Sequence, residues 1–328
     1  MSVSLAEGLV FRKSQGRYAV QLDPSPGAGP ARVVDCELSN KLHKELVYPI
    51  ADPNSFRRRV MEVVDIRQVD PVAVGDLVRF VPAGPDTGMI VEVLPRRSKL
   101  VRRAAGPKPL EQVVVANVDQ LVAIVAGALP APSWELLDRY LVGAEATELP
   151  SVIVVTKMDL VDDDPDLETE LGEYERIGYR VIRTSATSRR GVDELGEALS
   201  GRVSVFAGRS GVGKTTLLNC LQPGLGLRVA EVSGSTGKGR HTTTMLEMFP
   251  LDGGGAIVDT PGMREFGLWD VAGSEVAELF REIAPLLGRC RFGADCSHTH
   301  EPKCAVKTAV ERGEVSERRY RSMLRLAG

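Results

Sequence analysis

Four short segments of this chain carry residues that could do chemistry. The most informative is 208–215, Gly-Arg-Ser-Gly-Val-Gly-Lys-Thr, which matches the pattern GxxxxGK[ST]. It follows the apolar run 203–207 and opens a helical pattern, the context that this motif requires. Its glycines let backbone N–H groups converge on phosphate oxygens, Lys214 can reach the β- and γ-phosphates, and the Thr215 hydroxyl can bind Mg²⁺. The segment therefore predicts a nucleotide phosphate site, formed by Gly208, Arg209, Ser210, Gly211, Val212, Gly213, Lys214, Thr215 and Thr216.

Two later segments complete this predicted site. Asp259-Thr-Pro-Gly262 follows an apolar strand, where Asp259 suits a contact to Mg²⁺ and the Gly262 N–H can approach the γ-phosphate. Between it and the phosphate segment lies 233–244, which is glycine-rich and polar and is typical of a switch that a ligand orders. It ends in three consecutive threonines that spacing alone does not distinguish. We take Thr243 as a catalytic residue and the third magnesium ligand, beside Thr215 and Asp259.

A segment nearer the N-terminus predicts which base is bound. Val-Val-Thr-Lys-Met-Asp at 154–159 ends a buried strand and resembles the guanine-specifying box NKxD, with Thr156, Lys157, Met158 and Asp159 as its four positions. Asp159 can accept two hydrogen bonds from guanine, and adenine lacks that donor pair. Thr-Ser-Ala at 184–186 resembles the companion loop, in which Ser185 and Ala186 face the base. These two motifs precede the phosphate segment, the reverse of the order in small GTPases, so the chain is predicted to be circularly permuted.

The fourth segment predicts a metal site near the C-terminus. Cys290, Cys296 and Cys304 supply three thiolates, and either His298 or His300 can complete a tetrahedral set suited to Zn²⁺. Four protein ligands leave no position for a reacting water, so the role predicted for the ion is structural. Five cysteines without a recognisable signal peptide favour metal binding over disulfides.

Three stretches of the chain differ in their residue patterns, and these patterns predict the elements that position the functional residues. Residues 1–100 read as short strands broken by turns, typical of a small all-β barrel of the OB kind. Residues 101–270 alternate apolar strands with helical patterns, which predicts an α/β sheet domain. Residues 271–328 read as a small helical zinc-binding domain. Within the middle domain the predicted helices are 134–146, 166–177, 192–199 and 214–221.

Charge and composition narrow the function classes. The net charge is −3, but 162–175 carries eight acidic side chains while 96–108 is purely basic. This asymmetry is compatible with one RNA-facing surface, although charge runs are also common on solvated faces. No apolar run approaches the roughly 18 residues that span a bilayer. We expect a cytoplasmic monomer without membrane contact.

Taken together, these motifs resemble the ribosome-small-subunit-dependent GTPases, known as RsgA, YjeQ or EngC. The resemblance rests on Thr-Lys-Met-Asp, Gly-Arg-Ser-Gly-Val-Gly-Lys-Thr-Thr, Gly-Arg-His-Thr-Thr-Thr, Asp-Thr-Pro-Gly and the cysteine cluster, in that order, and covers most of the chain. It implies an RNA-binding barrel, a permuted GTPase domain and a zinc domain with His298 as the fourth ligand. It also implies GTP hydrolysis stimulated by the 30S subunit and its ribosomal RNA, late in assembly of that subunit.

The chain departs from common GTPase patterns at two positions. Thr156 replaces the usual asparagine of the guanine box, which should weaken a hydrogen bond that braces the loop. Met263 follows Gly262 where many GTPases have a water-orienting glutamine, so we expect His241 to orient the attacking water. Two alternative functions remain open. One is a nucleotide-regulated RNA-binding module with incidental hydrolysis, and the other is an adenine-nucleotide ATPase.

Overall fold

The structure is a computed structural model, described here for residues 4–14, 16–22, 32–47, 62–65, 70–103, 111–161, 164–226, 246–259 and 271–328. Contacts divide the chain into two compact units. The first contains described residues within Met1–Val118, Val229–Pro250 and Ala256–Pro261, and the second contains those within Asp119–Arg228, Leu251–Gly255 and Gly262–Gly328. The predicted domain boundaries near residues 100 and 270 stay predictions. None of the helices in these ranges is long and apolar enough to cross a membrane.

A closed five-stranded barrel forms most of the first unit. Its strands are β1 (Ala6–Ser14), β2 (Arg17–Gln21), β3 (Val33–Leu38), β6 (Leu77–Pro82) and β7 (Thr87–Val93). The ring runs β1-β2-β3-β7-β6 and closes because β6 also pairs with β1, so these strands leave no open edge. Alternate side chains point inward, as a strand period of two requires, and Val10, Val20, Val34, Phe80 and Ile90 fill the core. The predicted all-β barrel is confirmed.

Six further strands and a short helix complete the first unit. They are the 3-10 helix Asn40–His43, β4 (Lys44–Val47), β5 (Glu62–Asp65), β8 (Lys99–Arg103), β9 (Glu111–Ala116), β14 (Leu246–Pro250) and β15 (Ala256–Asp259). β4 pairs with β5 and β8 with β9, in both cases antiparallel. β14 pairs with the end of β1 and also with β15. Two strands from late in the chain therefore extend the sheet of the first unit.

A parallel α/β sheet forms the centre of the second unit. Its strands are β10 (Gln120–Ala126), β11 (Ser151–Thr156), β12 (Arg180–Arg183) and β13 (Val203–Gly208), in the spatial order β12-β11-β10-β13. The helices between and after them are α1 (Trp134–Glu145), α2 (Pro165–Arg176), α3 (Val192–Leu199) and α4 (Lys214–Leu221). Every residue of β10 is buried, as expected for a central strand covered on both faces. The strand order reverses between β10 and β13, and ligands bind open α/β sheets at such a switch point.

The C-terminal part of the second unit is helical, as predicted. It contains the 3-10 helices Gly273–Leu279, Ala284–Leu286 and Gly293–Asp295, followed by α5 (Ala305–Glu311) and α6 (Glu317–Ala327). Its small core packs the three cysteines against Val276, Phe280, Val306 and Met323. Val142 of α1 belongs to the same core, so this part packs directly on the α/β sheet domain.

A buried network of ion pairs and hydrogen bonds also links the C-terminal helix α6 to α1 and α2. Asp138, which is fully buried on α1, accepts hydrogen bonds from Arg319 Nη1 at 2.7 Å and Arg318 Nη1 at 3.0 Å. Tyr174 of α2 donates to the same carboxylate at 2.5 Å, and Glu282 accepts from Arg319 Nε at 2.7 Å. A buried charge is tolerated only when it is paired, and each carboxylate here has a cationic partner.

Candidate nucleotide site and metal centre

The predicted phosphate segment lies at the carboxyl end of β13 and leads directly into α4. Gly213 adopts a φ of 91° immediately before the helix, in the left-handed region that favours glycine. A Cβ atom on Gly208 would lie 2.9 Å from the Ile124 carbonyl oxygen, so the loop can pass β10 this closely only with glycine there. Val212 is buried and anchors the loop. Lys214 and Thr215 therefore stand in the first turn of α4, where helix N–H groups favour an anion.

The guanine box begins where β11 ends. Thr156 is the last residue of the strand, and Lys157 adopts a φ of 59° to turn the chain into the short 3-10 helix Met158–Leu160. The Met158 side chain is buried, and its N–H donates to the Thr184 carbonyl at 3.1 Å. Asp159, by contrast, is exposed. The box thus presents one carboxylate to solvent from a backbone that is fixed on both sides.

The companion loop lies beside this carboxylate. Thr184 follows β12 and donates its N–H to the Val155 carbonyl at 2.6 Å, which holds the loop against β11. Ser185 is buried, and its Oγ accepts the Ser188 N–H at 3.1 Å. A hydrogen bond from the Ser185 hydroxyl lowers the pKa of Asp159, with smaller contributions from the backbone and from Thr187. The loop therefore favours the ionised, hydrogen-bond-accepting form of Asp159.

Side chains of the guanine box reach the phosphate segment. The Thr156 hydroxyl donates to the Val212 carbonyl, and Lys157 Nζ donates to the Gly211 carbonyl at 2.7 Å. Lys157 Nζ also donates to the Leu129 carbonyl, in the loop between β10 and α1. The structure therefore brings the predicted base site and the predicted phosphate site together within the second unit.

Leu129 contributes to the site although it lies outside the predicted motifs. Its part in the site is a backbone carbonyl, which any residue type can provide, so no residue pattern marks it. The only local signal is conformational, since Leu129 adopts a φ of 48°. A non-glycine residue in that region is uncommon and often marks a functional loop.

Four predicted site residues cannot be placed. His241, Thr243 and Gly262 lie outside the described residues, and of Asp259 only the backbone at the end of β15 is described. The catalytic and magnesium-binding roles of these residues stay predictions.

The predicted metal ligands form one compact buried group. The ligand atoms of Cys290, Cys296, His298 and Cys304 all lie within 4.8 Å of one another. Cys290 Sγ is 3.8 Å from Cys304 Sγ, and His298 Nδ1 is 3.4 Å from Cys304 Sγ and 3.6 Å from Cys290 Sγ. A tetrahedral Zn²⁺ with Zn–S distances of about 2.3 Å separates its sulfur ligands by about 3.8 Å. The group is therefore compatible with one Zn²⁺.

The chemistry of the group agrees with its geometry. Burial, together with the neighbouring thiols of Cys290 and Cys304, raises the pKa of the Cys296 thiol to about 12. Three thiols so close together ionise jointly only if a cation compensates their charge. Burial also lowers the pKa of His298, which keeps the imidazole neutral and able to bind a metal. His300 is exposed and pairs with Thr299 Oγ1 at 2.8 Å, outside the group.

Comparisons with known proteins agree with the residue pattern. The family model described as RsgA GTPase matches residues 93–269. The protein named small ribosomal subunit biogenesis GTPase RsgA from Gemmatimonas aurantiaca is 46% identical over 258 residues, which cover 78% of this chain and 83% of that protein. The protein of the same name from Bacteroides fragilis is 37% identical over 320 residues, or 97% of this chain and 95% of that protein.

Solved structures give the same result for the fold. YjeQ from Thermotoga maritima superposes with a TM-score of 0.71 at 31% identity, covering 99% of this chain and 98% of that one. YloQ, described as a circularly permuted GTPase, superposes with a TM-score of 0.65 at 27% identity, covering 99% and 94%. The predicted permuted GTPase fold is confirmed.

Proposed function

Because the chain belongs to the RsgA GTPase family, we propose that it hydrolyses GTP to GDP and phosphate during biogenesis of the small ribosomal subunit. The observation that carries this proposal is the meeting of the guanine box and the phosphate segment, joined by hydrogen bonds from Thr156 and Lys157. These segments are some 50 residues apart in the chain, and a shared nucleotide explains why they converge.

Base recognition depends on Asp159 in this proposal. Its carboxylate accepts the guanine N1–H and one N2 proton, while the Ala186 N–H donates to O6, since the Ser185 N–H already donates to the Arg190 carbonyl at 3.0 Å. The Lys157 stem covers one face of the base, because its ammonium group is held by two backbone carbonyls. Adenine presents no matching donor pair and would leave the carboxylate without partners, which discriminates strongly against it.

Phosphate binding depends on the backbone of 208–216 and on Lys214. The N–H groups that open α4 bind the phosphate oxygens, and the Lys214 ammonium neutralises charge on the β- and γ-phosphates. Thr215, Thr243 and Asp259 would hold Mg²⁺. When bound, that ion neutralises the charge that develops on the transferred phosphate.

The attacking water needs a polar group to orient it. Met263 stands in the position after Gly262 and has no hydrogen-bonding group of that kind, so His241 takes this role in the proposal. We expect intrinsic turnover to be slow, and we expect the ribosomal subunit to raise it by placing His241 against the attacking water. Replacing His241 with alanine should then lower stimulated turnover and leave GDP affinity unchanged.

The remaining parts support binding to the subunit. We assign one structural Zn²⁺ to Cys290, Cys296, His298 and Cys304, since all four positions are filled by protein and none is left for a reacting water. The barrel and the basic stretch 96–108 are the proposed contacts to ribosomal RNA. The protein is proposed to act as a monomer.

One experiment tests this function most directly. GTP turnover is measured with and without purified small ribosomal subunits, and in parallel for a Lys214→Ala variant. We expect the subunit to raise turnover many-fold and the variant to show no turnover. Subunit binding that depends on nucleotide without faster turnover would favour an RNA-binding module instead. Tighter binding of ADP than of GDP would overturn the guanine assignment.

A further inference from the structure

His298 lies on an unusual piece of backbone. It adopts a φ of 60°, in the left-handed region that residues other than glycine rarely occupy. Residues 296–304, all of them described, form neither helix nor strand, so no regular hydrogen-bond ladder holds this conformation. Yet the His298 Nδ1 atom lies 3.4 Å from Cys304 Sγ and 3.6 Å from Cys290 Sγ. Other contacts must therefore keep the imidazole turned toward the thiols.

Glu301 holds the chain on both sides of His298. Its carboxylate accepts the N–H groups of Ser297 at 2.8 Å and Thr299 at 3.1 Å, and also the Ser297 hydroxyl at 2.6 Å. These bonds are local, because the partners are at most four residues apart. They shape the loop, but they do not attach it to another element of the second unit.

Tyr320 makes the long-range contact. Its hydroxyl donates to the His298 carbonyl at 2.5 Å, across 22 residues of chain. The ring is half-buried against the core that contains the three cysteines. A phenol has a single proton to donate, and here the His298 carbonyl receives it. The bond therefore fixes the backbone at the residue whose conformation is unusual.

The position of Tyr320 is itself set by α1. The two residues before it, Arg318 and Arg319, donate to the buried Asp138 carboxylate of α1 at 3.0 Å and 2.7 Å. Three consecutive residues of α6 thus contact α1 and the loop that carries His298. Because a hydrogen-bonded helix is stiff, the docking of α6 on α1 places the Tyr320 hydroxyl at the His298 carbonyl.

We propose that Tyr320 is a positioning residue for the metal centre. It holds His298 in the left-handed conformation, so that the fourth ligand already faces the three thiols when Zn²⁺ binds. Tyr320 acts through the His298 backbone and does not bind the ion. The inference rests on the zinc assignment made with the proposed function. It makes zinc affinity depend on α6 and, through α6, on α1 of the α/β sheet domain.

The test compares the zinc affinities of full-length variants. Each protein competes for zinc with a chromophoric chelator, and elemental analysis gives its zinc content. Tyr320→Phe keeps the ring in the core and removes the hydroxyl. We expect it to weaken zinc binding about tenfold or more, because losing a hydrogen-bond partner of a metal ligand typically costs about 10- to 100-fold in affinity.

Tyr179→Phe is the matched control. The Tyr179 hydroxyl also bonds to a distant acceptor in the second unit, Glu145 Oε1 at 3.0 Å, but this pair lies outside the cysteine group. Its loss should leave zinc affinity unchanged.

A second background separates positioning of the ligand from general stability. His298→Ala removes the fourth ligand and should weaken zinc binding by itself. If Tyr320 acts through His298, adding Tyr320→Phe should cause less than about a twofold further loss. A further loss as large as in the wild-type background would show that Tyr320 only stabilises the fold, and would overturn the inference.

The visible absorption of the Co²⁺-substituted protein gives an independent readout, because it depends on the ligands around the ion. The spectrum of Tyr320→Phe should change toward that of His298→Ala, while Tyr179→Phe should keep the wild-type spectrum. A Tyr320→Phe protein with wild-type zinc affinity and a wild-type cobalt spectrum would contradict the proposal.

Two further checks keep the result interpretable. If Tyr320→Phe does not fold, Tyr320→Met fills the same place in the core without a hydroxyl, with thermal unfolding as the check on folding. Failure of the zinc assignment has a different signature, because the wild-type protein itself would then hold no stoichiometric zinc.

Discussion

The Asp159 carboxylate is exposed, yet neighbouring side chains hold it in one orientation. Ser185 and Thr187 hydroxyls bond to it and lower its pKa, while Met158 behind it is buried and anchors the turn. An exposed group with fixed orientation is what a ligand-recognising carboxylate requires. Base selectivity should therefore be concentrated at this one residue.

The first prediction replaces that carboxylate by an amide. Asp159→Asn offers guanine one acceptor and one donor where two acceptors are needed. We expect GDP affinity to fall about a hundredfold, because one N–H of the base then faces a donor instead of an acceptor. Xanthosine diphosphate, which carries an acceptor at that position, should gain affinity. Isothermal calorimetry with both nucleotides measures this. Asp166→Asn, an exposed change on α2, is the control and should alter neither affinity.

The second prediction concerns pH. The folded-state pKa of Asp159 is lowered, so the ionised form contributes stability above the ordinary carboxyl pKa and loses it only as pH falls through the folded value. GDP affinity should therefore stay constant from about pH 8 down to about pH 5 as far as this group is concerned. Fluorescence titrations in that range check it. An affinity loss with a midpoint at or above pH 5 that Asp159→Asn abolishes would contradict the assignment.

At the scale of elements, α1 connects two parts of the second unit. The loop before it supplies the Leu129 carbonyl to Lys157, and its Asp138 holds both arginines of α6. Removing one partner of a buried ion pair costs more stability than removing one partner of an exposed pair, because the remaining buried charge has no compensation. The packing of the C-terminal part should therefore be sensitive to Asp138.

The third prediction tests that network. Asp138→Asn leaves Arg318 and Arg319 with less compensation and should lower the free energy of unfolding by about 3 kcal/mol. Urea denaturation measures the change. Glu135→Gln is the matched control on the same helix, since it removes an exposed pair with Arg325 at 2.8 Å. That change should cost less than about 1 kcal/mol. Similar losses for both variants would show that burial of the network is not what matters.

The fourth prediction concerns the metal. Cys296→Ser should abolish stoichiometric zinc and expose amides of α5 and α6 to hydrogen exchange, because the core of this part includes the three cysteines proposed as ligands. Elemental analysis and exchange mass spectrometry give the two readouts. Cys220→Ser, outside the group, should retain one zinc per chain. Unchanged exchange in the zinc-free variant would mean that the ion does not stabilise the helices.

Much at this scale could be predicted from sequence. Two of the four predicted helices in the α/β part, 192–199 and 214–221, have the observed bounds, and the other two differ by one residue at one or both ends. Apolar periodicity and flanking turn residues were sufficient for them. The pairing of β14 with β1 was not predictable, because it joins Arg12 to Glu247 across most of the chain. Local patterns specify a strand but not its distant partner.

At the scale of the whole molecule, the two compact units share an interleaved chain. β14 and β15 belong to the first unit although the segments before 229 and after 261 belong to the second. The motif order predicted the permuted fold. It did not predict that β14 and β15 belong to the first unit, because that assignment depends on long-range contacts. The side-chain bonds between guanine box and phosphate segment were likewise unpredictable, because the motifs identify each loop and not their contact.

The permuted connectivity has a consequence for the nascent polypeptide. The guanine box is synthesised before the phosphate segment, and Lys214 follows Asp159 by 55 residues. At ordinary translation speeds of about 5–20 residues per second, that interval lasts roughly 3–11 s. Strands β10, β11 and β12 can associate during this delay, but no triphosphate can be retained until β13 and α4 have emerged. The proposed base-recognition loops are thus synthesised, and can fold, before the proposed phosphate-binding loop exists.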